Sequence, residues 1–164
     1  MYQGGKRYKY RAMTYSEVKQ DLFDCDDSWY LAHCISADFA LGAGIAKEFD
    51  RRFDMNRKLR ERFPDYINRQ WREYCFEAAD AILIDRVFNL VTKERYWQKP
   101  TLDSLGIALI LVRDHCHLYG THLRKLAMPK IGCGLDRLNW EDVKPMIFKL
   151  FGDTDIEIRV CCLE

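Results

Sequence analysis

Apolar residues recur along this chain with two periods, and the two divide it into alternating strands and helices. Residues 10–18 alternate enough to predict a strand. Residues 29–34, WYLAHC, are a nearly continuous apolar run, which predicts a central strand buried on both faces. Ile45, Phe49 and Phe53 recur every fourth residue, the spacing of an amphipathic helix. Residues 56–63 continue as a second helix until Pro64 ends it. Residues 66–78 are aromatic-rich and read as either a short helix or an irregular lid. Residues 79–85 and 87–92 read as two strands. Thr101 caps a helix running to about Tyr119, stopped by Gly120, with Leu102, Leu105, Leu109 and Val112 toward the core. Residues 123–128 form a strand, 140–151 a helix capped by Asn139, and 156–163 a closing strand. This alternation predicts a sheet covered by helices on both faces.

Two glycine-bearing loops interrupt the pattern, each directly after a strand. The first holds Gly42 and Gly44; the second runs PKIGCGLDRLN and holds Gly132 and Gly134. Glycine lets backbone N–H groups turn toward a ligand without interference from a Cβ. A strand, a glycine-rich loop and a helix start together make an anion-binding arrangement. A tight connection without a ligand fits the second loop equally well. Neither GxxxxGK[ST] nor GxGxxG is present, since Arg137 stands where the third glycine of the latter belongs. Two such loops at the carboxyl ends of neighbouring strands imply a crevice between them, and a diphosphate suits two facing backbone cradles.

Composition narrows the class. With 164 residues the chain has room for one domain with a sizeable core. Residues 1–11 are expected to be a flexible arm and 12–164 a single domain. A net charge of +1 disfavours a non-specific nucleic-acid binder. The cations around Lys47, Arg51, Arg52, Arg57, Lys58, Arg60 and Arg62 read as a solvated face, or else as a patch for a polyanion. The basic N-terminus lacks an apolar segment of the secretory kind. The longest apolar run, residues 107–112, is far short of a membrane span. A cytoplasmic protein is expected, or a nuclear one in a eukaryote, without a membrane partner. Seven scattered cysteines, an odd number with no CxxC pair, read as reduced thiols rather than metal ligands. No metal or cofactor is expected.

The stretch LAHCISADFALGAGIAKEF resembles the first ligand loop of the macrodomain family, which binds ADP-ribose, and MPKIGCGLDRLNW resembles the second, phosphate-binding loop. Together with VTKERYWQKPT the pattern is most similar to the ADP-ribosyl-glutamate hydrolases, also called terminal ADP-ribose protein glycohydrolases. It extends from about residue 13 to residue 163. The resemblance implies a three-layer α/β/α fold with a central mixed sheet. It also implies ADP-ribose and mono-ADP-ribosylated protein as partners, and a monomer. Nucleic acid, the substrate of related antitoxins that clear ADP-ribose from DNA, is the less favoured partner.

The resemblance also assigns roles. Asp21 would accept from the adenine amino group, with Leu22 beside it. Ser36, Gly42, Gly44 and Ile45 would line the distal ribose and diphosphate. Gly132, Cys133, Gly134 and Leu135 would give N–H groups to the phosphates, next to Ile131. Lys93 matches the lysine that displaces the protein carboxylate, and Asp136 the acid that resolves the lysyl–ADP-ribose adduct. An attacking lysine must be uncharged. From position alone, Lys93 is an exposed loop lysine and Asp136 a turn residue. The chain departs from the family at Gln20, where glycine is frequent, and at Cys161 and Cys162, where an aromatic often stacks on adenine. A reader that holds ADP-ribose without turnover would need neither Lys93 nor Asp136. Cys133 as a nucleophile is rejected, because no histidine lies near it in sequence.

Overall fold

A computed structural model of the chain describes residues 5–75, 79–117 and 122–163. The strands are β1 (Arg7–Tyr10), β2 (Met13–Lys19), β3 (Tyr30–Ser36), β4 (Asp80–Ile84), β5 (Val87–Lys93), β6 (Lys125–Met128) and β7 (Glu157–Cys162). They form one seven-stranded sheet in the order β1-β2-β7-β6-β3-β5-β4. The five inner strands run parallel, and β1 and β4 close the two edges antiparallel. The sheet is therefore mixed, as expected.

Helices α1 (Gly44–Phe53) and α2 (Met55–Arg62) cover one face. Phe49, Met55 and Leu59 pack there with Leu31, Ile35 and Val91 of the sheet. Helices α4 (Leu102–Asp114) and α5 (Trp140–Phe151) cover the other, where Leu105, Leu109, Val143 and Ile147 meet Phe88, Leu126 and Ile158. Each face buries its own apolar cluster, which is the physical reason for three layers. Among the described residues no helix is long and apolar enough to cross a membrane.

Several expectations change. Part of the arm is a strand: β1 pairs with β2 from Arg7↔Ser16 to Tyr10↔Met13, and Arg7 bonds Glu157 at 2.7 Å. Residues 66–78 open as a wide π-helical turn, Ile67–Trp71, and run into α3 (Arg72–Tyr74). Residues 76–78 and 118–121 lie outside the described set; α4 ends earlier than expected, at Asp114, and residues 115–117 form a turn. Leu102 is partly exposed, while Leu105, Leu109 and Val112 are fully buried. The Thr101 cap is observed as a reciprocal box with Ser104, its hydroxyl accepting from the Ser104 N–H at 3.0 Å.

Candidate active site

The site begins with β5. Val87 through Thr92 are buried, and Lys93, the last residue of the strand, is the first to emerge at its carboxyl end. Strand β3 runs parallel beside it and ends at Ser36, paired with Lys93. Next comes β6, whose end at Met128 starts the second glycine loop. Three neighbouring parallel strands thus deliver two loops and a lysine to the same edge.

In the first loop Asp38 does the organising. Its Oδ1 accepts from the Ser36 hydroxyl at 2.5 Å and from the Ala40 N–H at 3.1 Å. Its Oδ2 accepts from the Tyr96 N–H at 3.0 Å, which ties the segment after Lys93 to the first loop. The chain then passes through Phe39 and Leu41 at φ 54° and 46°, left-handed positions held without glycine. Gly44 opens α1 at φ 59°, and a Cβ there would sit 2.9 Å from Leu135 Cδ1. The two loops touch at this point.

The second loop turns at Gly132, φ 76°, where a Cβ would meet Leu138 and Leu105 at 3.0 and 3.1 Å. The Gly132 carbonyl accepts from the Leu138 N–H at 2.8 Å, and the Gly134 carbonyl from Arg137 at 3.1 Å. Lys99 Nζ donates to the Leu135 carbonyl at 2.7 Å. At the far end Asn139 caps α5 by accepting from the Glu141 N–H, and the Trp140 indole donates to Glu17 of β2. Both ends of the loop are thereby fixed to the sheet.

Asp136 of this loop meets Lys93 directly. Lys93 Nζ donates to Asp136 Oδ1 at 2.6 Å, with only 12% and 13% of the two side chains exposed. The pair lies in the wall of a cavity of about 810 Å³, shared with Ser36, Gly42, Gly134 and Leu135. A second cavity, about 680 Å³, meets the first at Ile45, Pro129 and Lys130. Its wall holds Asp21, Leu22, Phe23, Arg52, Cys161 and Leu163. The two make one elongated cleft, and each part alone has the size of a small-molecule site.

Most residues named from the sequence come together here, with two changes. Cys133 turns away: its N–H is bonded to the Lys130 carbonyl at 3.1 Å, and its thiol contacts the Ile131 carbonyl and packs on the core. It is therefore no phosphate donor, and burial raises its thiol pKa as well. Ser36 lines the cleft, but its hydroxyl is committed to Asp38. Gly42, Gly44, Ile45, Ile131, Gly132, Gly134 and Leu135 all reach the cavity. Asp21 caps the turn Leu22–Asp24 by accepting from the Phe23 N–H at 3.0 Å, which leaves its second oxygen for a ligand. Cys34 lies beside the ion pair, its thiol pushed well up by burial and by the negative charge of Asp136, so it is no nucleophile.

Asp38, Tyr96 and Lys99 escaped the sequence reading. Asp38 left no trace there beyond being an aspartate in a loop, where it forms an Asx turn with the Ala40 N–H. Phe23 is the aromatic at the far end of the cleft, with the Arg52 guanidinium 4.5 Å from its ring centroid.

No family model matches the chain. Human ADP-ribose glycohydrolase OARD1 is 39% identical over 150 residues, 89% of this chain and 90% of that protein. The macrodomain of Thermus aquaticus DarG superimposes with a TM-score of 0.69 at 22% identity, over 92% of this chain and 99% of that one. The chain belongs to the macrodomain family, with the ADP-ribose glycohydrolases. Thermosipho africanus DarTG, solved in complex with ADP-ribose, shares the fold with this macrodomain at a TM-score of 0.65 and 18% identity. That match covers 95% of this chain and 43% of the DarTG chain.

Proposed function

We propose that this macrodomain hydrolyses the ester between ADP-ribose and an acidic protein side chain, with Lys93 as nucleophile and Asp136 as the base that resolves the adduct. The observation that carries the reading is the 2.6 Å contact between Lys93 Nζ and Asp136 Oδ1 in the cleft wall. A protein that only holds ADP-ribose has no use for a lysine and a carboxylate in direct contact there. The relative named ADP-ribose glycohydrolase supports a hydrolase acting on ADP-ribosylated substrates.

The ligand follows the cleft. Adenine lies at the Asp21 and Phe23 end, with the free Asp21 oxygen accepting from its amino group. The diphosphate crosses between the start of α1 and Gly134, where a Cβ would meet nothing within 4 Å. A helix start offers oriented N–H groups to an anion. The distal ribose then reaches Lys93. For attack, Lys93 loses a proton to solvent and its nitrogen lone pair adds to the anomeric carbon, with Asp136 left as a carboxylate. The bond from that carbon to the carboxylate oxygen breaks, and the protein acid leaves. Asp136 then takes a proton from water, which adds to the same carbon as the bond to Nζ breaks.

O-acyl-ADP-ribose carries the same ester and is a substrate on the same argument. DNA is the weaker reading, because four of the seven cations of α1 and α2 are held by neighbouring acids. Glu48 pairs with Arg51 and Arg52, Arg57 with Asp54 and Glu61, and Lys58 with Asp85.

The test uses glutamate-linked, serine-linked and DNA-linked ADP-ribose side by side. Release from glutamate should be fastest. Asp136→Ala should trap protein heavier by one ADP-ribose less water, and the Lys93→Ala, Asp136→Ala double variant should not. Near-normal hydrolysis by Lys93→Ala would sink the lysine route.

A further inference from the structure

The lysine end of the cleft opens beside a segment that leaves large apolar side chains in solvent. Tyr96 and Trp97, just after Lys93, are 64% and 65% exposed, and their rings meet edge to face with centroids 5.1 Å apart. Leu135 lines the same cavity as Tyr96 and Lys93 and is 61% exposed. Contiguous apolar surface left uncovered at a site marks a place of contact. The backbone beneath the rings is fixed. The Tyr96 N–H donates to Asp38 Oδ2 at 3.0 Å, the Arg95 N–H to Gln98 Oε1 at 2.7 Å, and the Gln98 N–H to the Arg95 carbonyl at 3.1 Å. None of these bonds uses an aromatic side chain, so the loop does not need the rings to hold its shape. A loop already tied in place loses little freedom when a partner covers it.

Charge narrows what that partner is. Arg95 precedes the two rings and Lys99 follows them. Among the described residues neither is in an ion pair, unlike Arg51, Arg52, Arg57 and Lys58. Lys99 Nζ donates to a carbonyl, which leaves its charge in place. Two nearby acids are engaged already, Glu94 by Arg72 at 3.1 Å and Asp136 by Lys93. The rim is therefore aromatic and cationic.

The chemistry says where the partner's chain runs. In the hydrolysis argued above, the breaking bond joins the sugar to an acidic side chain beside Lys93. Only a short side chain separates that carboxylate from its own backbone. The substrate polypeptide therefore has to cross the cavity mouth close to Lys93, and Tyr96 and Lys99 line the cavity there.

We propose that Tyr96 and Trp97, with Arg95 and Lys99 on either side, form a docking surface for the acidic peptide segment that surrounds the modified side chain. The rings cover apolar atoms and backbone of the peptide, and the two cations meet carboxylates next to the modified one. Tyrosine, tryptophan and arginine are the residues that most often dominate such contacts. The proposal rests on the hydrolase reading of the same site.

Trp97→Ala and Arg95→Gln test it, because both keep the hydrogen bonds of the loop and neither residue lines the cavity. The substrates are glutamate-linked ADP-ribose on a peptide rich in flanking acids, the same peptide with those acids changed to glutamine, and an acetate ester of ADP-ribose. Trp97→Ala should raise KM for the acidic peptide by about fivefold or more. Arg95→Gln should raise KM for the acidic peptide and not for the neutral one. In both variants kcat, turnover of the acetate ester and affinity for ADP-ribose should stay within about twofold of the parent. An unchanged KM for the acidic peptide, or an equal loss on the acetate ester, overturns the docking surface. A neutral peptide served as well as the acidic one overturns the acidic partner, and a Trp97→Ala loss confined to DNA-linked ADP-ribose hands the surface to nucleic acid. No release from any ester by the parent defeats the hydrolase reading instead. Calorimetry then still decides the docking: the modified acidic peptide should bind more tightly than ADP-ribose and lose that margin in Trp97→Ala, and equal affinities overturn the proposal.

Discussion

Gly42 and Gly44 stand two residues apart in the first loop, and the structure separates them sharply. At Gly44 the backbone is left-handed, φ 59°, and an added Cβ would lie 2.9 Å from Leu135 Cδ1. At Gly42 the nearest atom to an added Cβ is the Ala40 carbonyl oxygen, 3.9 Å away, an ordinary contact. Gly44→Ala therefore carries a left-handed cost of about 1–2 kcal/mol, before any adjustment of Leu135. At about 2–4 °C per kcal/mol for a domain of this size, the melting temperature should fall by about 2–8 °C. Gly42→Ala should stay within about 0.5 kcal/mol of the parent. Binding should separate them too. Leu135 is held through its carbonyl by Lys99 and precedes Asp136, so pushing it aside moves the second loop at the ligand. Thermal unfolding and calorimetry with ADP-ribose measure both effects. Equal stability and affinity in the two variants would refute the claim that the loops are fitted together at Gly44.

Other consequences can be checked directly. Lys93→Arg should be as inactive as Lys93→Ala while still binding ADP-ribose, because a guanidinium stays protonated and cannot attack; single-turnover release from a glutamate-linked substrate decides it. Burial lowers the pKa of His33 from 6.5 to about 4, so between those values the unfolded chain binds more protons and stability is lost as pH falls. The full window is worth about 3 kcal/mol at 1.36 kcal/mol per unit, and urea melts of His33→Gln should show a flatter fall; an unchanged slope would reject the assignment. Since most cations of α1 and α2 are locally paired, raising salt from about 50 to about 200 mM should change turnover of glutamate-linked substrate by less than about twofold. A steep fall would restore the polyanion surface.

The layers were legible because burial imposes a period on the sequence. The apolar run ending at Cys34 feeds both buried faces, and the i+4 spacing of Ile45, Phe49 and Phe53 points to one of them. Arg7–Tyr10 gave no such sign. It is short and basic, and what makes it a strand is the free edge that β2 presents to it. The wide turn Ile67–Trp71 is likewise a tertiary product. Tyr66 and Trp71 are buried against the α2 side of the sheet, and the Tyr66 hydroxyl donates to Asp80 of β4 at 2.5 Å. Local propensity carries no record of either partner.

The site was legible where backbone conformation demands a residue type and illegible where side chains cross between segments. Glycine at 44 and 132 advertises a left-handed backbone, so both loops could be placed before their shape was known. Cys133 misled because a run of four loop residues does not say which N–H groups face outward; the turn closed by Lys130 takes that one inward. Asp38 was silent for a related reason. Its function is a connection to the Tyr96 N–H, 58 residues away, and an aspartate in a loop has many local uses. That connection fixes the path of the chain just after Lys93. Lys99, from the same segment, holds Leu135 just before Asp136. The 2.6 Å contact between lysine and carboxylate is thus braced from both sides, by a side chain to the first loop and by a side chain to the second. Positioning to within hydrogen-bond reach is what a nucleophile and its proton partner require. Here that positioning comes from residues that carry no chemistry of their own.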